Sequence, residues 1–460
     1  MCAYPTTAVI DGIGTPVSAA RPLAGLMALV EELEQSQWWP EQALEQHQRR
    51  QLGRLLDHAW TIPFYRGRLT EAGYRPGREI TPEFWRSLPV LTRREVQAQG
   101  RALLAPSIPP EHGPLEETVT SGATGTPVKV VKTGLDRLFW CALRIREELW
   151  QGLDLRLKMA VIRGFAAGKV GREGIRLETW DTPVADLFPT GALVALDIRT
   201  PVAEQAAWLV REKPDYLLTF PSNLVALLNH FRERGCAPPP LRAIRTMSEV
   251  VDRRLRRLCR EAWGVEVVDL YSAEEAGYIA IQCPRHTHYH VQSETVLLEV
   301  LDARGNPCGP GETGVVVVTP LHNVAMPLIR YALGDYAELG GPCPCGRGLP
   351  VIARILGRAK DNVILPSGEE RHAWLGTREF AEIDAIVQHQ VVQKSLGDIE
   401  VRLVVKQPLA AEEEDRLRQI LGANLGPDFC VAFRYLSEIP RAPSGKFYEF
   451  LSELAPRAPT

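Results

Sequence analysis

The sequence predicts an α/β protein with a large amino-terminal domain and a small α+β carboxy-terminal one. Three observations carry that reading. Short, nearly continuous apolar runs such as "KMAVIRG" and "DYLLTF" suit strands buried on both faces of a sheet. These runs alternate with amphipathic stretches in strand–helix–strand order, which implies crossover helices and parallel pairing. Finally, 460 residues are more than one hydrophobic core usually organises.

Taken in order, residues 22–104 read as mainly helical. "LAGLMALVEELEQSQWW" and "EQALEQHQRRQLGRLLDHAW" place apolar residues three to four apart with charges between them. From about residue 115 strands alternate with helices. "DYLLTF" runs into "PSNLVALLNHFRERG", where Pro221 and Ser222 suit a helix start and Gly235 a stop. "LRAIRTMSE", "VDRRLRRLCREAWG" and "VEVVDLYSAEE" repeat the pattern. Residues 293–340 change texture: "TVLLEVLD" and "GVVVVTPL", joined by "ARGNPCGPGETG", read as an antiparallel appendage that gives the large domain mixed sheets in several layers. After "GRAKDNVILPSGEE" come a strand "IEVRLVV", a capped amphipathic helix "EEEDRLRQILGANLG" and a strand "CVAFRYL". The linker falls near Gly357–Asp361, dividing the chain into residues 1–357 and 358–460.

Composition narrows the function. A net charge of -3 leaves no basic footprint for nucleic acid or an anionic membrane. No apolar run approaches the 18 residues of a membrane span, and the first residues lack the basic-then-apolar order of a secretory signal. Nine cysteines, odd in number and scattered, favour a reducing, cytoplasmic setting over a disulfide framework.

The chemistry begins at "TSGATGTPVKVVKTG", Thr120–Gly134. Backbone amides exposed by glycines, together with Ser and Thr hydroxyls, can wrap phosphate oxygens, and Lys129 or Lys132 can add charge. The Gly-Lys-Ser/Thr ending of a P-loop NTPase is missing. By itself this is as good a surface turn as a phosphate loop. It is followed along the chain by "YSAEEAG" (271–277), "LIRYALGD" (328–335), "GRAKD" (357–361) and "IPRAPSGKF" (439–447).

Five such motifs in this order resemble the adenylate-forming superfamily of acyl-CoA synthetases. "MPLIRYALGDYAEL", "CPCGRGLP" and "PRAPSGKF" are most similar to its phenylacetate-CoA ligase and capsule-biosynthesis branch. The likeness runs from about Glu117 to Phe450. It implies a mobile carboxy-terminal lid and ATP-dependent adenylation of a carboxylic acid, with an aromatic acid as the default. Acyl transfer to CoA follows, or transfer to another acceptor such as an amine or a carrier-protein thiol. A homodimer is compatible with the branch.

The resemblance also implies roles for particular residues. Thr120, Ser121, Gly122, Thr124, Gly125 and Thr126 match the loop that holds the β- and γ-phosphates, Thr124 being a catalytic candidate. Glu275 matches a glutamate that holds Mg²⁺, a hard cation suited to carboxylate and phosphate oxygens. Tyr271 matches a tyrosine beside adenine, and Ser248 and Glu249 in "MSEVV" match a shorter nucleotide-pocket motif. Asp335 matches the acceptor of the ribose hydroxyls, and Arg358 an arginine near ribose and phosphate. Lys360 and Asp361 occupy the hinge position. Lys446 matches the catalytic lysine that steadies charge on the carboxylate and α-phosphate. Phe139, Trp140 and Phe165 are candidate linings for the acid pocket.

A second constellation is independent of ATP. "CPC" at 343–345 and "QCPRHTHYHV" at 282–291 bring together residue types that suit a closed, structural zinc site, although buried thiols beside solvated histidines would read the same way. The resemblance implies Cys283, His290, Cys343 and Cys345 as ligands, with His288 as the alternative histidine. Two departures stand out. Ser272 and Glu274 replace the usual Gly and Thr of the tyrosine–glutamate motif, and "LPSGEERHAWLG" replaces the segment that leads into a CoA-facing helix in the ring-activating ligases.

Overall fold

A computed structural model of the chain describes residues 22–119, 127–166, 168–180, 183–358, 362–366, 370–372, 380, 383, 385–425, 429–440 and 447–454. Its centre is one twelve-stranded mixed sheet. The strand order is Val296–Leu301, Thr313–Pro320, Tyr331–Leu339, Val351–Arg358, Tyr289–Val291, Gly277–Gln282, Val267–Ala273, Ala243–Met247, Tyr216–Thr219, Met159–Arg163, Leu193–Asp197 and Ile175–Leu177. The five strands from Val267–Ala273 to Leu193–Asp197 pair in parallel.

Burial follows pairing type. Four of the five residues of Met159–Arg163 are buried, because crossover helices cover both faces of the parallel region. Tyr331–Leu339, in the antiparallel half, alternates buried and half-buried residues. The 293–340 strands pair antiparallel as expected, and they continue the main sheet. Strand Gly277–Gln282 turns back antiparallel on Val267–Ala273 and carries the sheet on into the 293–340 region without a break.

The helix expected after "DYLLTF" spans Pro221–Glu233 with proline at its first turn, and Gly235 follows its end at φ +61°. Proline's fixed φ suits a helix start, and its missing N–H costs nothing there. Helix Gly134–Trp150 packs on the sheet through a buried ion cluster. Arg245 Nη1 lies 2.5 Å from Glu148 Oε1, its Nη2 bonds Glu147, and Tyr278 donates to Glu147 Oε2 at 2.9 Å.

The amino-terminal helices Pro22–Ser36 and Glu41–Ala59 attach at a second buried node around Glu294. Its Oε1 accepts from Ser36 Oγ at 2.7 Å and from Arg146 Nη2 at 3.0 Å. Its carbonyl oxygen accepts from Gln51 Nε2 at 3.2 Å and from His322 Nε2 at 3.1 Å. The His322 ring stacks on Phe139 with centroids 3.9 Å apart, and its buried Nδ1 has no hydrogen-bond partner among the described residues.

The carboxy-terminal unit has a core of its own, including Phe380, Val391, Val401, Leu403, Leu417 and Phe450. Its four-stranded sheet runs Cys430–Tyr435, Asp398–Val405, Ile386–Gln393, Phe450–Ser452, with helix Ala411–Leu425. No described helix is long and apolar enough to cross a membrane.

Candidate active site and cysteine–histidine cluster

A cavity of about 1990 Å³ opens beyond the carboxyl ends of the parallel strands, between the large sheet and the carboxy-terminal unit. Ligands of open α/β sheets bind at this edge, because loops there diverge and leave a crevice. Of the nucleotide-site candidates, Ser248, Glu249, Tyr271, Glu275 and Asp335 line it, and Lys132 of the phosphate-loop stretch lines it too. The phosphate-loop residues Thr120, Ser121, Gly122, Thr124, Gly125 and Thr126 lie outside the described residues, as do Lys360, Asp361 and Lys446.

Tyr271 and Asp335 meet directly: the phenol donates to Asp335 Oδ2 at 2.8 Å. They come from strands four apart in the sheet order, and a bulge brings them together. Val315 pairs with Tyr336 but Val317 with Ala332, so Leu333–Asp335 oppose Val316 alone. Gly334 within the bulge has φ +76°, which glycine adopts without a Cβ clash. Asp335 is also in register with Arg358 on the neighbouring strand, so three predicted nucleotide-site positions, Tyr271 for adenine and Asp335 and Arg358 for ribose, share one corner.

Glu275 is only 2 % exposed. Its Oε1 accepts from Arg93 Nη1 at 3.1 Å and from the Tyr331 hydroxyl at 3.4 Å. Burial, with the Glu275 charge beside it, pushes the Tyr331 phenol well up from its ordinary value. Sequence reading missed Arg93. The capping box of Thr92 and Glu95 is legible as a helix start, but nothing local signals a contact across 182 positions. Asp269, deeper in the same cavity, accepts from Tyr289 at 2.6 Å and Thr246 at 2.7 Å. Burial raises its carboxyl to about 6, against the opposing pull of those two hydroxyl donors.

Among the aromatic candidates, Trp140 lines the cavity and stands edge-on to Tyr278 at 6.0 Å. Phe139 is a buried core residue against His322, and Phe165 packs beneath the Arg163 guanidinium. Of these three, Trp140 alone lines the cavity.

The cysteine–histidine cluster assembles as a compact group. Candidate ligand atoms of Cys283, His288, His290 and Cys343 all lie within 4.8 Å of one another. Cys283 and Cys343 sulfurs are 3.8 Å apart, close to the edge of a tetrahedral thiolate site with metal–sulfur bonds of about 2.3 Å. His288 Nε2 is 2.9 Å from Cys343 Sγ. Cys345 is adjacent, 3.4 Å from His290 Nε2, and accepts from Arg347 at 3.6 Å. The geometry thus groups His288 with the other three, and sets Cys345, the fourth expected ligand, at their side. His290 Nδ1 faces the Leu349 carbonyl at 3.3 Å, which turns Nε2 toward the thiols in the manner of an oriented metal ligand. This donor set fits zinc.

The comparisons with known proteins agree with this architecture. Residues 375–452 match the CapK C-terminal domain family. The phenylacetate-coenzyme A ligase of Thermus thermophilus is 25% identical over 391 residues, covering 81% of this chain and 84% of the relative. That of Pseudomonas putida is 24% identical, covering 83% and 86%. A crystal structure of 2-hydroxyisobutyryl-CoA ligase in the postadenylation state, in complex with R3-HIB-AMP, superposes with a TM-score of 0.71 at 19% identity, covering 91% of this chain and 92% of that one. The fold is that of the adenylate-forming CoA ligases. At the level of sequence the chain is similar to phenylacetate-CoA ligases over about four fifths of its length, and residues 375–452 match the CapK C-terminal domain.

Proposed function

We propose that the chain activates a carboxylic acid, an aromatic one by default, with ATP and then passes the acyl group to CoA. In the first step a carboxylate oxygen attacks the α-phosphorus, the bond to the β-phosphate bridging oxygen breaks, and pyrophosphate leaves. The observation that carries the reading is the Tyr271–Asp335 pair and the buried Glu275 around one cavity at the carboxyl edge of the sheet. An anionic acceptor at Asp335 suits a ribose diol, and charge-assisted bonds of that kind are strong. Tyr271 fixes the carboxylate, and its ring is our candidate for the adenine contact.

Glu275 and bound phosphates would hold Mg²⁺, which neutralises charge developing on the phosphates. Until then Arg93 balances Glu275. The Thr120–Thr126 loop, including Ser121, Gly122, Thr124 and Gly125, grips the β- and γ-phosphates, Arg358 serves ribose and phosphate, and Lys446 steadies the reacting oxygens. The domain boundary falls at Gly357 and Arg358, and Lys360 or Asp361 is the hinge. Zinc held by Cys283, His288, His290 and Cys343, with Cys345 beside them, would pin strand Tyr289–Val291 to the turn at 343–345. A full set of protein ligands leaves no open position, so its role is structural. The setting is cytoplasmic.

A second reading keeps the first step and changes the acceptor to an amine or a carrier-protein thiol. The departure at "LPSGEERHAWLG" favours keeping it in view. The test is pyrophosphate release with ATP and Mg²⁺ across a panel of aromatic and aliphatic acids, each with and without CoA. Acid-dependent release that turns over only with CoA supports the first reading; release indifferent to CoA supports the second. Lys446→Ala should abolish release while ATP still binds, and near-normal release would sink its role.

A further inference from the structure

We propose that Glu249 is a positioning residue that latches the carboxy-terminal unit over the cavity for the adenylation step. The inference rests on the two-step reading above. It begins at the end of strand Ala243–Met247, where Ser248 holds φ +70°. A non-glycine residue in the left-handed region is strained, and such strain persists where the surroundings fix it, often at working sites. The residue it turns into place is Glu249.

Each Glu249 carboxylate oxygen accepts one backbone N–H, and the two donors belong to different units. Oε2 accepts from Ser222 at 2.9 Å, in the first turn of the thirteen-residue helix Pro221–Glu233. That end of a helix has free amides and favours negative charge. Oε1 accepts from Phe447 at 2.9 Å, in the carboxy-terminal unit. The first contact anchors the carboxylate to the large sheet's side of the cavity; the second reaches across.

Phe447 follows Lys446 directly in the sequence and precedes strand Phe450–Ser452. Holding the Phe447 amide therefore fixes the chain one residue from the proposed catalytic lysine. A backbone donor makes the latch depend on where the unit sits rather than on which side chain it carries. Rotation of the unit between the two steps breaks this bond, since Glu249 stays with Ser222. Glu249 then acts on adenylation through Lys446, not as a contact to the nucleotide, which is the role its sequence motif suggested.

The experiment compares wild type, Glu249→Ala and Glu249→Gln in three measurements. ATP–pyrophosphate exchange reports the first half-reaction. CoA-dependent consumption of supplied acyl-adenylate reports the second. Deuterium uptake by a peptide spanning residues 443–454, which keeps the Phe447 amide as an internal amide, reports the contact itself, whatever the activity. Glu249→Ala should lower kcat for exchange roughly ten- to hundredfold, the scale of losing a charge-assisted hydrogen bond, with KM for ATP little moved. The ratio of second-step to first-step rate should rise about as much, and the peptide should take up deuterium faster. Glu249→Gln, with one accepting oxygen left, should fall between. A raised KM for ATP at constant kcat would make Glu249 a nucleotide contact and overturn the latch. So would equal loss in both half-reactions, or unaltered deuterium uptake. If wild type shows no exchange with any acid, the two-step reading fails instead, and the deuterium measurement still decides whether Glu249 holds the unit.

Discussion

His322 should make this protein lose stability on acidification, over a window that follows from its surroundings. The imidazole lies flat on Phe139, gives its Nε2 proton to the Glu294 carbonyl, and has no acceptor near Nδ1 among the described residues. A second proton would therefore be a buried, unpaired charge. Burial, first, and the nearby His47 and His112 hold its pKa down to about 3 from an ordinary 6.5. The unfolded chain takes up the proton below pH 6.5 and the folded chain does not. Stability from this residue is thus intact above pH 6.5 and falls as pH drops, at roughly 1.4 kcal/mol per unit. The loss is on the order of 2 kcal/mol at pH 5, and roughly 5 kcal/mol if followed to pH 3. His322→Gln retains an amide that can donate to Glu294 but has nothing to titrate. Its stability at pH 7.5 will be lower for want of the stacked ring, so the comparison is of slopes. Denaturant unfolding of both proteins at intervals from pH 7.5 to 5 should show the wild-type curve falling about 2 kcal/mol further than the variant's. Parallel curves would refute the reasoning, as would a folded-state titration of His322 near 6.5.

Three further outcomes are expected. Arg245→Met removes the guanidinium hydrogen-bonded to both buried Glu147 and Glu148 and should cost roughly 3–5 kcal/mol, with much of it recovered when both glutamates become Gln in the same chain. A thermal melt showing only a small change in the single variant would mean that the cluster is better solvated than its burial indicates. Cys343→Ser should lose bound zinc and thermal stability together. Elemental analysis of His288→Ala and Cys345→Ser then tells which side chain completes the site, and a zinc-free wild type removes it altogether. Asp335→Ala should weaken ATP binding roughly ten- to hundredfold by calorimetry, and Tyr271→Phe less, because it only orients the carboxylate; unchanged affinity for Asp335→Ala would place the ribose elsewhere.

Local pattern explains which features could be read from the chain. Parallel strands announced themselves as continuous apolar runs because helices cover both their faces, and Pro221 marked its helix because proline suits that position alone. Tyr271 and Asp335 were legible as motif residues, and the bulge at Gly334 joins them. What could not be read is what sheet order brings together from distant segments. Arg93, near the end of the amino-terminal helical region, reaches Glu275 across 182 positions of the chain. Glu147 and Glu148 look like ordinary surface charges of an amphipathic helix until Arg245 is seen between them. The continuity of the 293–340 strands with the main sheet depends on one antiparallel turn at 273–277, whose sequence resembles any other turn. The cysteine–histidine cluster takes in both His288 and His290, and because His288 precedes the three-residue strand Tyr289–Val291, alternation could not show that both face the thiols.

The carboxy-terminal sheet has a mechanical consequence. Its edges are the strands Cys430–Tyr435 and Phe450–Ser452, so the connection between them must travel the full width of the sheet. Three inter-strand gaps make that width roughly 14 Å. The connection 436–449 begins and ends on this one sheet, so any turning of the unit carries both of its ends together and by the same rotation.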